Sequence, residues 1–195
     1  MVVVGGVFDL DQAQRSTPFE RVRRRAEVAR RKGNPFIRSA YDIIYTDPDF
    51  AKRIIDYFQP TGFILDPCKG AGAFFDNFPT TEQTDWCEIN EGRDFRDWTQ
   101  LVDWAMTNPP WSAKLYRAIA QHCFEIAIHT VLLARLHNVI GTTARIRDFI
   151  SRGVGLREII ICRWEDAGFP NEGFPLAVFH WQRGWQDGTV WTDWT

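Results

Sequence analysis

Short apolar runs alternate along this chain with stretches whose apolar positions recur every three or four residues. The short runs predict strands near residues 62–66, 84–88, 102–107, 129–134, 156–163 and 175–181. Helices are predicted near 72–78, 112–127 and 143–151. In the second of these, Ser112 stands at the cap position, and Leu115, Ala118, Ile119, Cys123 and Ile126 fall on one face. Gly153 closes the third. Thr46-Asp47-Pro48-Asp49-Phe50 opens a further helix, with Thr46 or Asp47 as cap, proline in the first turn, and Phe50, Ile54, Tyr57 and Phe58 as an apolar face. Strands alternating with helices imply an α/β domain built on a mainly parallel sheet with helices on both faces. The last two predicted strands flank the turn-rich residues 168–173, which suggests a hairpin. In such a sheet, ligands bind beyond the carboxyl ends of the strands.

Composition narrows this picture. The 195 residues, 45% hydrophobic, suffice for one globular core. The net charge of −2 gives no general argument for a nucleic-acid partner. Its distribution does: residues 15–38 hold nine Lys/Arg against two Glu, a net +7. Residues 1–40 are therefore expected to form a basic N-terminal arm, with a basic helix over 21–32 broken by Gly33-Asn34-Pro35, ahead of a domain over 41–195. A solvated helix face accounts for the same charges. Cys68, Cys87, Cys123 and Cys162 are widely spaced, with no pair at metal-ligand spacing, which points to a reducing cytoplasm. The N-terminus lacks the pattern of a signal peptide, and no apolar run reaches membrane-spanning length.

Two segments carry the chemistry. Asp66-Pro67-Cys68-Lys69-Gly70-Ala71-Gly72-Ala73-Phe74 follows the apolar run Phe63-Ile64-Leu65. Its glycines tolerate positive φ and let a ligand touch backbone. Their spacing fits neither the dinucleotide fingerprint nor a P-loop. One acidic residue and few donors suit a zwitterionic ligand better than a pyrophosphate. The second segment, Asn108-Pro109-Pro110-Trp111, follows the strand ending near residue 107. The Asn108 side-chain oxygen and the carbonyl of Pro109 are two restrained acceptors, and Trp111 adds a flat plate. Acceptors beside a plate match a planar nucleobase with an exocyclic amino group. Glu88, at the end of the second strand, is placed to accept from a ribose, or is a solvated loop acid.

Together the two segments, in this order and separation, resemble the amino-group methyltransferases that use S-adenosylmethionine, above all the N6-adenine DNA methyltransferases and their small phage- or prophage-type members. The resemblance spans roughly residues 41–181. It implies a Rossmann-like class I methyltransferase fold: seven strands, mainly parallel, with an antiparallel last strand. It implies S-adenosylmethionine as cofactor and DNA as partner. By the same resemblance, Tyr45 and Thr46, in a Tyr-Thr-x-Pro segment, cover the cofactor, and Asp66, Pro67, Gly70, Gly72 and Phe74 surround its methionine end. Glu88 takes the ribose. Asp94 and Phe95 take the adenine, a turn aspartate and a core phenylalanine being the plainer account. Asn108, Pro109, Pro110 and Trp111 hold the base to be methylated, with Asn108 also bordering the cofactor. Phe169 and Phe174 are candidates for flanking that base, or for a lid over the core. Arg135, Arg145, Arg147 and Arg152 are candidates for phosphates.

Three alternatives stay open on sequence grounds. They are an RNA adenine methyltransferase, a protein-glutamine methyltransferase, and a non-catalytic phage nucleic-acid-binding or anti-restriction protein.

Overall fold

A computed structural model describes residues 45–169 and 173–195. The expected basic arm over 1–40 and the hairpin loop at 170–172 lie outside them. The elements in chain order are α1 (Pro48–Phe58), β1 (Phe63–Asp66), β2 (Gln83–Trp86), β3 (Val102–Thr107), α2 (Ala113–Ile126), β4 (Ala127–Arg135), α3 (Leu136–Ile140), α4 (Thr143–Ile150), β5 (Val154–Cys162), β6 (Leu176–Arg183) and β7 (Val190–Asp193).

The seven strands form one sheet in the order β2-β1-β3-β4-β6-β5-β7. β6 runs antiparallel to both its neighbours, β4 and β5. The other pairings are parallel. The chain leaves β1 toward β2 on one side and returns to β3 on the other, so the switch in winding falls between β1 and β3. That is where an open α/β sheet leaves a crevice for a ligand.

The helices cover both faces, as adjacent residues of β6 demonstrate. Trp181 meets Phe124 of α2 and Phe149 of α4, at ring-centroid distances of 5.2 and 5.3 Å. His180, pointing the other way, meets Phe58 of α1 at 4.9 Å. α2 turns Leu115, Ile119, Cys123 and Ile126 inward as its period predicts, and also buries Tyr116, Ala120 and Phe124. α1 is capped by Asp47, whose carboxylate accepts from the amides of Asp49 and Phe50.

The structure departs from the sequence expectation in several places, the short unpredicted α3 among them. Residues 72–78 form only a 3-10 turn, Phe75–Asn77, instead of a helix. Gly72, at φ +96°, cannot itself be part of a right-handed helix, and the regular turn begins only at Phe75. The antiparallel strand is sixth in the chain rather than last, because β7 follows it and pairs in parallel with β5. β7 escapes a periodicity reading because only four residues pair and three of them are exposed. The chain end then folds back on α1: Trp194 packs on Phe50 and Tyr57, with the Arg53 guanidinium 4.1 Å from its ring centre. Tyr57, expected on the apolar face, stays half-exposed and donates to Glu158 at 2.7 Å. Among the described residues, no helix is long and apolar enough to cross a membrane.

Candidate active site at the carboxyl edge of the sheet

The two chemistry-bearing segments leave neighbouring strands at the same edge. β1 and β3 pair in parallel, Leu65 opposite Ala105, so the glycine loop after Asp66 and the Asn108 turn after Thr107 emerge side by side. The Thr107 hydroxyl lies 3.4 Å from the Cys68 carbonyl and links them directly. Thr107 belongs to neither linear motif; it matters because it is buried one residue before Asn108.

The glycine loop is stitched to the end of β2. The Lys69 amide donates to the Cys87 carbonyl (2.9 Å), and the Cys87 amide to that of Asp66 (2.8 Å). Glu88 accepts from the Gly70 amide through one oxygen (2.9 Å) and from the Asn90 amide through the other (3.0 Å). Each carboxylate oxygen keeps a second lone pair for an incoming hydroxyl. A Cβ on Gly70 would stand 3.4 Å from the Tyr45 ring, so Tyr45, largely exposed, lies over the loop. Thr46 beside it is buried. The Asp47 amide ties this segment to the Ala167 carbonyl at 3.0 Å, on the far side of the edge. Pro67 and Phe74 are buried beneath the loop.

Asp66 is 1% exposed. One carboxylate oxygen accepts from the Cys68 amide at 3.1 Å. The other, Oδ2, is buried and makes no hydrogen bond within ordinary limits among the described residues. Burial pushes this carboxyl from 3.8 up to about 7; Thr107 and the amides of Cys68 and Phe75 counteract in part, and the charge of Glu88 adds to the rise. A buried acceptor of this kind at a strand end is complementary to a cation.

The Asn108 side-chain oxygen is buried at this edge. Trp111 is a fixed plate, 5% exposed. Its indole N–H donates to the Leu133 carbonyl (3.1 Å), and its own carbonyl accepts from buried Asn138 (3.1 Å). Its ring stands edge-on to Trp164 and Phe169, centroids 5.7 and 5.1 Å away, with the Arg135 guanidinium 5.1 Å from its centre. Phe169 is therefore core. Phe174 is half-exposed at the start of β6, 5.0 Å from the His137 ring.

Asp94 and Phe95 lie in the turn between β2 and β3. The Asp94 carboxylate caps the turn Phe95–Asp97 and pairs with the Arg96 guanidinium. Phe95 is 5% exposed and packs edge-on against His122 of α2 at 4.7 Å. His122 donates its Nε2–H to the Trp98 carbonyl (2.9 Å), a structural position. Of the four arginines offered for phosphates, Arg145 contacts the His137 carbonyl and Arg152 pairs with Glu125 and Asp148, whereas Arg135 reaches the site.

No protein-family model and no curated protein matches the sequence. Solved structures do match in fold. A candidate class I S-adenosylmethionine-dependent methyltransferase from Listeria monocytogenes superposes with a TM-score of 0.60 at 12% identity, over 92% of this chain and 74% of that one. A modification subunit of a candidate type I restriction enzyme from Vibrio vulnificus gives 0.57 at 13% identity, over 92% and 53%. A candidate RNA methyltransferase from Pyrococcus horikoshii gives 0.51 at 11%, over 70% and 82%. This chain thus spans about half the length of the restriction subunit it matches. The fold is the Rossmann-like class I methyltransferase fold.

Proposed function

We propose that this chain transfers a methyl group from S-adenosylmethionine to the N6 amino group of adenine in DNA. The observation that carries the reading is the placing of the two segments at the switch point, joined through Thr107 and Cys68. The residues fit the donor. Asp66 Oδ2 is a buried acceptor awaiting a cation, which the amino group of the methionine moiety supplies. Gly70 and Gly72 are both at positive φ, and at Gly70 no side chain separates the loop backbone from Tyr45. Glu88 keeps lone pairs for the ribose. Asp94 and Phe95 take the adenine in this reading, provided that Asp94 exchanges Arg96 for the adenine amine.

When bound, the donor supplies an already electrophilic sulfonium methyl. The chain's task is to present the acceptor nitrogen. Asn108 and the Pro109 carbonyl accept from the two amine hydrogens, which favours a pyramidal nitrogen with its lone pair free. That interaction strengthens toward the transition state and so raises turnover. Pro110 holds the turn rigid, and in-line alignment contributes the remainder. Reaching a base in a duplex requires extruding it. The solved neighbours include both a modification subunit of a candidate restriction enzyme and a candidate RNA methyltransferase, so DNA is favoured over RNA here by the motif resemblance; the basic residues 15–38 favour a nucleic acid of either kind over a protein substrate.

The test is transfer of a labelled methyl group to DNA, RNA and protein offered separately, with Asn108→Ala alongside. Label in N6-methyladenine of DNA, absent in the variant although it still binds S-adenosylhomocysteine, is the expected result. Undiminished turnover by Asn108→Ala would refute the mechanism.

A further inference from the structure

Trp111 is an unusual plate for a base, because it is 5% exposed. Its indole N–H is held by the Leu133 carbonyl, the Trp164 and Phe169 rings stand nearly perpendicular to it, and Arg135 lies over the ring. Arg135 ends β4, the strand beside β3; Thr107 pairs with Leu132, so Arg135 lies just beyond the level of Asn108 at the same edge. A base arriving on the Trp111 face takes the place of the guanidinium. The displaced group is a planar, permanently charged fork of five donors, and a phosphodiester is the acceptor that matches it.

We propose, resting on the nucleic-acid reading above, that Arg135 is a substrate-exchanged cation. It covers Trp111 in the free protein and moves to a backbone phosphate flanking the extruded nucleotide when the base takes its place. Arg135 is then a positioning residue that ties base admission to the presence of a phosphodiester. Free adenine and the glutamine side chain of a protein lack that group.

The probe is a fluorescein-labelled 20-mer of mixed sequence containing several adenines, bound in the presence of S-adenosylhomocysteine across a salt series. Wild type, Arg135→Gln and Arg135→Lys are compared, with S-adenosylhomocysteine affinity measured separately. Loss of one phosphate contact lowers the slope of log affinity against log salt by about one. The expected result is that decrease in Arg135→Gln, retention of the slope in Arg135→Lys, and unchanged S-adenosylhomocysteine affinity in both. An unaltered slope in Arg135→Gln overturns the proposal. So does loss of S-adenosylhomocysteine binding or of the folding transition in Arg135→Gln, since Arg135 is then a brace for Trp111. Wild-type protein that binds S-adenosylhomocysteine but no oligonucleotide would overturn the nucleic-acid reading itself, a result distinct from an unchanged slope in the variant alone.

Discussion

Replacing Asp66 by Asn should make the donor-free protein more stable and the donor-bound protein weaker. The carboxyl is 1% exposed and its pKa rises from 3.8 to about 7, chiefly through burial. The folded state therefore holds this proton more tightly than the unfolded chain. The group's contribution to stability is whole below pH 3.8 and is lost as pH rises through about 7. Roughly three tenfold steps in proton affinity correspond to about 4 kcal/mol, an upper figure for the cost of the buried charge at pH 8. Asn keeps an acceptor for the Cys68 amide without that charge. At roughly 2–4 °C per kcal/mol for a chain this size, release of half the cost raises Tm by about 4–8 °C at pH 8, and the gain should vanish near pH 4. Donor affinity moves the other way. Losing a charge-assisted hydrogen bond of about 1.5–3 kcal/mol weakens S-adenosylmethionine binding by roughly 10- to 150-fold. Wild-type affinity should also fall below pH 7, where binding the cationic amine displaces the Asp66 proton, while the variant's affinity stays flat. Scanning calorimetry and titration calorimetry from pH 4 to 8 measure both. A Tm that drops in Asp66→Asn at pH 8, or a donor affinity that does not change, would refute the assignment of Asp66 as a cation acceptor.

Other outcomes follow from single contacts. Gly72→Ala forces a side chain onto φ +96° and sets its Cβ against the Asp76 carboxylate, so a loss of about 1–3 kcal/mol in urea unfolding is expected together with weaker donor binding. Gly92→Ala, at φ +78° with open space around it, should lose stability alone; equal donor affinity in the two variants would count against the glycine loop as the donor site. His129 and His180 hydrogen-bond at 3.0 Å beneath Trp104, and burial lowers both pKa values, that of His180 to about 3. Their stabilisation is present above the ordinary histidine range and is lost as pH falls from 6.5 toward 3; His180→Phe should flatten this acid limb in urea midpoints, and an unaltered limb would show the pair does not titrate on unfolding. Charge reversal across residues 21–31 should weaken oligonucleotide binding and reduce its salt dependence, and an unchanged slope would remove those residues from the interface.

Much of the fold was legible because its signals are local. Six strands and the helices α1, α2 and α4 lie where apolar periodicity places them, α1 with its Asp47 cap and α2 with Ser112 at the cap position but without a side-chain cap hydrogen bond, and the strand ends at Asp66 and Thr107 coincide with the predicted ones. The glycine loop and the Asn108 turn stand out by short-range residue chemistry, whereas the Tyr45–Thr46 segment is offered only by the family resemblance. Less was visible where a residue's role depends on what packs against it. Trp111 reads as an open plate and is a buried one. Phe95 and Phe169 read equally as ligand contacts or core, and both are shielded. Arg135 was one arginine among four until β4 set it over Trp111.

By itself, then, the order of residues determined the alternation of strands and helices and the chemistry carried at two strand ends. Both are written within a few residues, in side-chain period and turn preference. Only the tertiary structure decided that β1 and β3 lie side by side, that β6 slips between β4 and β5, and that Thr107 joins the two segments. Strand partners are chosen by burial summed over the whole sheet. No window of sequence contains that sum.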